Sequence, residues 1–343
     1  MPKQMKNNYP LIFSILFYSL CFPLIIKAQS IQLLQQNKPS VLRGLSVLND
    51  KTAWASGSNG YVAITKNGGK TWDWQQVKGY EKSEFRDIEA FSDQEAIIMS
   101  SGTPALVLKT TDGGKSWQEK YHKTDSAYFF DAMDFTDSKH GYILGDPINN
   151  KFLLMETKDS GETWSNADNL PDALPGEAAF AASGSCLRSN NGDLYIVSGG
   201  KTSRMLTLKL NSNVWNYDNF PLINGKASEG AFSIAIGKSE EIIVGGDYQN
   251  DKKTDSVAVI CTANSATKFI NPLSGPAGYQ SCVEFINNKT YLSTGTSGTN
   301  ITTDGGKTWS KIDALSFNVC AKAKHGKLVL LAGNDGRLAI FKI

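Results

Sequence analysis

Beyond about residue 30 the chain is punctuated by short runs in which apolar residues alternate with small or polar ones, and the runs come in pairs joined by glycine-bearing turns. TAWASG (52–57) precedes YVAIT (61–65), AIIMSSG (96–102) precedes ALVLKT (105–110), and GYILGD (141–146) precedes FLLMET (152–157). LYIVSGG with MLTLKL, EIIVGGD with SVAVICT and TYLSTG with TNITT continue the series. A period of two bounded by Gly, Asn and Ser marks strands, and close pairs across a tight turn mark antiparallel hairpins. The pattern predicts an all-β chain.

Each hairpin leads into the same short motif. TKNGGKTW (65–72), TTDGGKSW (110–117), TKDSGETW (157–164) and TTDGGKTW (302–309) align without gaps. Trp72, Trp117 and Trp164 are spaced by 45 and 47 residues, and Trp309 follows after 145, or three periods. Two worn copies are expected in that interval, at 208–215 (LKLNSNVW) and 262–269 (TANSATKF). Strand-rich units repeating near 47 residues are the signature of propeller blades, each a four-stranded antiparallel sheet. A seventh unit starts at Phe317 and stops at Ile343 before any motif or fourth strand. SIQLLQQ (30–36) is a strand with no inner partners of its own, so it is predicted to complete the last blade. The expected fold is a seven-bladed β-propeller whose last blade is closed by the N-terminal strand, which removes two exposed sheet edges.

The first residues read differently. Lys3 and Lys6 lead into an apolar run from Leu11 to Ile26, and Ile26 and Ala28 suit the −3 and −1 positions of a signal-peptidase site. Residues 1–28 are expected to be a cleaved signal peptide and 29–343 the propeller, giving a periplasmic or secreted protein with no later membrane span. Leu20 before Cys21 lacks the small residue of a lipoprotein signal. Cys186, Cys261, Cys282 and Cys320 would remain after cleavage, too scattered for a disulfide scaffold. A net charge of +2 gives no reason to expect a nucleic-acid partner.

The motif's chemistry is local. Its glycines permit positive φ in a tight turn, Asn67, Asp112, Asp159 and Asp304 can accept backbone N–H bonds across it, and Trp72, Trp117, Trp164 and Trp309 plug against the blade. These residues are therefore read as structural. The motif resembles the Asp-box, or bacterial neuraminidase repeat, S-x-D-x-G-x-x-W, with Asn67 the departure at the acidic place. That resemblance implies a box on the rim, away from any active centre.

A longer stretch, LRGLSVLNDKTAWASGSNGYVAITKNGGKTW, with FFDAMDF and GEAAFAAS, is similar to the photosystem II stability and assembly factor family and its non-photosynthetic bacterial relatives. This implies a propeller that binds a protein partner during assembly, without catalysis.

Inner strands should begin 30 to 40 residues before each motif aromatic, at LRGL, FRDI, FFDAM, GEAAF, SEGAF, GYQSC and FNVC. Equivalent positions converge on the central channel, so Arg43, Arg86, Asp131, Glu177, Glu229 and Tyr279 are the candidate ligand-binding ring. Arg204 and Asp146, in loops, are candidates for the channel mouth. One reading is a pocket with a cationic and an anionic wall for a bipolar ligand or peptide; the other is Arg–carboxylate bridges that satisfy charges along a narrow channel.

The alternative function is a glycoside hydrolase of sialidase-like propeller type, with Asp131 and Glu177 as the carboxylate pair. Against it, Leu42-Arg43-Gly44 stands where sialidases carry an Arg-Ile-Pro stretch. His122, His140 and His325 lack metal-ligand spacing, so no metal is expected, and without a dinucleotide or phosphate loop no cofactor is either. The preferred expectation is an exported, monomeric, non-catalytic module that holds a protein or peptide partner of the cell envelope at the channel mouth, a glycan being the second ligand class.

Overall fold

The computed structural model describes residues 1–2, 5, 29–262 and 268–342. Apart from Met1, Pro2 and Met5, the expected leader lies outside the described residues, as do Ile343 and positions 263–267 of the second worn motif.

Among the described residues the strands form seven antiparallel sheets arranged as the blades of a propeller. From channel to rim, blade 1 holds Leu42–Val47, Ala53–Gly57, Tyr61–Thr65 and Asp73–Gln76, and blade 2 holds Glu84–Ala90, Ala96–Ser101, Ala105–Thr110 and Gln118–Lys123. Blade 3 runs Phe130–Phe135, Gly141–Ile148, Lys151–Thr157 and Ser165–Asn166, and blade 4 Leu187–Asn190, Asp193–Val197, Arg204–Lys209 and Val214–Asn219. Blade 5 is Glu229–Ile236, Glu241–Asp247, Ala258–Cys261 and Phe269–Ile270, and blade 6 is Cys282–Asn287, Thr290–Gly295, Gly298–Thr302 and Ser310–Asp313.

Blade 7 takes three strands from the C-terminus, Val319–Lys322, Val329–Ala332 and Leu338–Lys342, and its rim strand, Ser30–Gln35, from the N-terminus. Ser30 pairs with Lys342, Ile31 with Phe341 and Leu33 with Ala339, so the expected closure is present. Packing reinforces this seam. Leu42, Leu45 and Val47 of blade 1 share one apolar cluster with Val319, Leu330 and Leu331 of blade 7, and Ile31 and Leu34 pack against it. Asp50 Oδ1 in a blade 1 turn accepts the Lys327 and Leu328 backbone N–H groups at 2.6 and 2.8 Å.

The middle strands are apolar on both faces because each blade is covered by its two neighbours. Trp54, Val62 and Ile64 of blade 1 thus pack with Phe85, Ile88, Ile98 and Leu108 of blade 2, and Trp54 meets Trp117 edge-on at 6.3 Å. The rim motif is held by bonds within its own turn. In the three acidic copies Oδ1 of Asp112, Asp159 and Asp304 accepts the backbone N–H four residues on at 2.9, 2.9 and 3.0 Å, and Oδ2 takes that residue's hydroxyl at 2.6 Å. Asn67 preserves the first bond at 2.9 Å, while its Nδ2 donates to the Thr71 hydroxyl. The indole N–H of Trp72, Trp117 and Trp309 returns to the motif glycine carbonyl, whereas that of Trp164 is buried without a partner.

One expected inner strand is placed differently. Blade 4 begins at Leu187, not at GEAAF. Glu177–Ala178 instead forms a two-residue strand against Gly199–Gly200, which adds to the inner edge of blade 5 through Gly199 and Gly230. The approach is tight enough to require glycine: a Cβ on Gly230, whose φ is +143°, would stand 2.3 Å from Gly199 Cα. Residues 178–186 are thereby freed to run through the channel.

Candidate ligand-binding site at the channel mouth

The first residues of several inner strands open onto a cavity of about 500 Å³. Arg43 comes from blade 1, Arg86 from blade 2, Asp131 from blade 3, Tyr279 and Ser281 from the entry to blade 6, and Asn318 from the entry to blade 7. Asp146 and Tyr248 reach in from the ends of the second strands of blades 3 and 5. Much of the remaining wall is the chain's own segment Ala178–Ala182, completed by Phe129, Ala227, Phe232 and Thr296.

That segment is firmly held. Phe180 stacks on Phe232 with centroids 3.9 Å apart, and Tyr279 meets Phe232 edge-on at 4.8 Å. Ser183 Oγ donates to the Ser281 carbonyl at 2.8 Å, and Ser185 Oγ donates to Ser233 Oγ at 2.6 Å. A smaller cavity of about 170 Å³, lined by Ser183 and Gly184, lies beyond it. The segment therefore divides the channel, and the larger cavity is a blind pocket rather than a through passage.

Its charges are incompletely paired. Arg43 donates one bond, to the Ala182 carbonyl at 3.0 Å, and Arg86 donates to the Ala181 carbonyl at 3.4 Å. Among the described residues no carboxylate lies within 4.0 Å of Arg43, while Arg86 has only Glu84, 3.9 Å from an Nε that makes no hydrogen bond. Burial lowers the pKa of Arg43, and the neighbouring charge of Arg86 lowers it further. Two adjacent guanidinium groups with few partners are a site for an anion.

Asp131 is 1% exposed, and neither carboxylate oxygen makes a well-formed hydrogen bond, the Ala181 N–H being a donor of poor geometry. Burial raises its pKa well above the usual range and the charge of Asp146 raises it more, against the pull of Arg86 and the Ala181 N–H. The group is biased toward its neutral, proton-bearing form, whose O–H is available as a donor to a bound ligand. Asp146 is itself raised by burial, although its Oδ1 accepts the Ala179 N–H at 3.3 Å.

Of the residues read from sequence, the fold gathers Arg43, Arg86, Asp131, Tyr279 and Asp146 here and leaves Glu177, Arg204 and Glu229 out. Glu177 and Arg204 bind each other instead: Nε reaches Oε1 at 2.9 Å and an η nitrogen reaches Oε2 at 2.5 Å. Ser198 Oγ and the Leu174 N–H complete the shell of Glu177, and Arg204 lies over the Tyr217 ring. Glu229 is buried beneath Lys226, 3.2 Å away, and Lys253. The different start of blade 4 is the reason for Glu177: it sits on the added two-residue strand, where its side chain meets Arg204 while that of its neighbour Ala178 lines the cavity. Phe180, Phe232 and Tyr248 escaped the sequence reading, because their apolar character is shared by every core position.

Comparison with known proteins adds the lineage. The profile of the family described as photosynthesis system II assembly factor YCF48 matches residues 27–124 and 74–200, which together span half of the chain. The chain belongs to that family. The BNR/Asp-box repeat profile also matches residues 301–311, the fourth rim motif. Curated relatives of this YCF48-family chain include the chloroplastic photosystem II stability/assembly factor HCF136 of Arabidopsis thaliana, 32% identical over 100 residues, which are 27% of this chain and 23% of that protein. The photosystem II assembly lipoprotein Ycf48 of Synechococcus sp. (strain CC9902) is 29% identical over 147 residues, 42% of this chain and 39% of that one. The matches thus span well under half the length of either relative.

Solved structures agree in fold. YCF48 bound to D1 peptide superposes with a TM-score of 0.66 at 16% identity, covering 93% of this chain and 97% of that one. YCF48 from Cyanidioschyzon merolae gives 0.63 at 16%, covering 91% and 98%. Virginiamycin B lyase from Staphylococcus aureus gives 0.66 at 11%, covering 92% and 100%, so the architecture by itself does not select a function.

Proposed function

We propose that residues 29–343 form an exported, non-catalytic assembly-factor-like propeller that holds a peptide segment of a protein partner in the channel-mouth pocket. The observation that carries this reading is the pair of guanidinium groups, Arg43 and Arg86, directed into a blind cavity with few ionic partners of their own. Anionic groups of a segment would meet these two residues, and its apolar parts would meet Phe180, Phe232 and Tyr248. Family membership supports a protein ligand, since one YCF48 structure holds a D1 peptide. The glycosidase reading loses the pair on which it rested, because Glu177 is committed to Arg204 and does not face Asp131's cavity.

The test is a peptide array drawn from envelope proteins and probed with the full chain and an Arg43→Ala/Arg86→Ala variant. Two charge-assisted bonds of about 1.5–3 kcal/mol each predict a loss of affinity of about a hundredfold or more, with the melting temperature little changed. Equal binding by both proteins would remove this site from consideration, and cleavage of a glycan panel would reinstate the enzyme.

A further inference from the structure

Cys282 opens the inner strand of blade 6 and Cys320 lies in the inner strand of blade 7. Their sulfurs are 3.7 Å apart, and their residues are 0% and 1% exposed. The Cys320 backbone N–H points at Cys282 Sγ from 3.4 Å, and Ser185 Oγ lies 3.7 Å from the same sulfur. Cys282 Sγ thus accepts from the thiol and N–H of Cys320 while lying 3.3 Å from the Cys320 carbonyl, so the two cysteines are in direct contact through both sulfur and backbone. Burial would raise the pKa of Cys282, but the Cys320 thiol and N–H, the charge of Arg188 and the Ser185 hydroxyl outweigh it and hold it below the usual thiol range. Cys320 is pushed the other way by burial and by its neighbour. The two sulfurs therefore sit in contact in the closed ring, with no third residue between them. All four described cysteines, Cys186 and Cys261 as well as Cys282 and Cys320, are buried free thiols in this structure.

We infer that Cys282 and Cys320 are a disulfide-forming pair that staples blade 6 to blade 7 beside the seam closed by the N-terminal strand. In the first step the Cys282 thiolate attacks one sulfur of a small-molecule disulfide, forming a mixed disulfide and releasing one thiolate of the oxidant. Cys320 then gives up its proton, attacks Cys282 Sγ and expels the second thiolate. The protein loses two electrons and two protons, and one oxidant disulfide becomes two thiols. Closure brings the sulfurs from 3.7 Å to about 2.05 Å. Because neither sulfur is accessible in the closed ring, the reaction belongs to the stage before blade 7 seats or to a local opening of that blade. Its position makes sense: blade 7 is assembled from both chain ends, so it is where a noncovalent ring would first unzip.

The experiment is refolding of the full chain with oxidised and reduced glutathione, followed by alkylation under denaturing conditions and peptide mapping without reductant. The expected result is one cross-linked pair, the peptide carrying Cys282 with that carrying Cys320, and alkylated Cys186 and Cys261. The oxidised protein should melt about 5 °C above the reduced one. In Cys320→Ser the resolving sulfur is absent, so Cys282 should retain one glutathione and the gain in melting temperature should vanish. Alkylation of both Cys282 and Cys320 in the refolded wild type, or a bond from either to Cys186 or Cys261, overturns the assignment. The wild-type map decides the question even if the variant does not fold.

Discussion

Replacing Glu177 with glutamine keeps the volume of the side chain but removes a charge whose environment is fully built around it. The Glu177 side chain is 0% exposed and that of Arg204 is 9% exposed, so water can do little to compensate the guanidinium left behind. Glutamine could still accept the Nε bond now 2.9 Å long, but its amide nitrogen would face the η nitrogen that now donates to Oε2. Breaking one side of a buried pair leaves an uncompensated charge and costs about 3–5 kcal/mol, whereas replacing both members with apolar residues is often close to neutral. Glu177→Gln should therefore lower the urea midpoint by an amount equivalent to about 3–5 kcal/mol at an unchanged m value. Glu177→Leu combined with Arg204→Met should recover most of the loss, and the coupling between the two sites is the quantity to extract. Equilibrium urea unfolding followed by tryptophan fluorescence measures both. A Glu177→Gln protein as stable as the wild type would refute the buried-pair assignment and return Glu177 to the list of groups free to act on a ligand.

Removing residues 29–36 should expose the edge of Leu338–Lys342 and uncover the cluster on which Ile31 and Leu34 pack, lowering the melting temperature and promoting self-association; light scattering coupled to gel filtration would show it, and an unchanged monomer would contradict the closure. Asp131 has a folded-state pKa raised by burial, so folding takes up a proton and this group's contribution to stability falls as the pH climbs from about 4 through the folded value. Asp131→Asn should accordingly be more stable than the wild type at pH 8, with the difference shrinking toward pH 4, and a difference that is the same at both pH values would dispose of the argument.

The rim motif and the blade count follow from the sequence because their interactions are short in range. Thr65 with Gly69, or Asp112 with Ser116, bond across four residues, so the turn is specified within each copy. Alternation with period two and a recurrence near 47 residues then leave few folds that bury every middle strand. The closing role of SIQLLQQ was legible for the same reason, as the one strand missing from the last unit. The start of blade 4 was not. GEAAFAAS has the apolar alternation of an inner strand, and nothing local says that Glu177 will meet Arg204 across 27 residues or that Gly230 will admit Gly199 against it. Once that short strand is diverted to blade 5, residues 178–186 fall into the channel and turn it into a blind pocket. The orphaned carboxylate of Asp131, the Phe180–Phe232 stack and the close sulfurs of Cys282 and Cys320 all lie where elements from different blades converge. Which side chains share such a place is fixed by the closing of the ring, since only then do residues remote in the chain come within bonding distance.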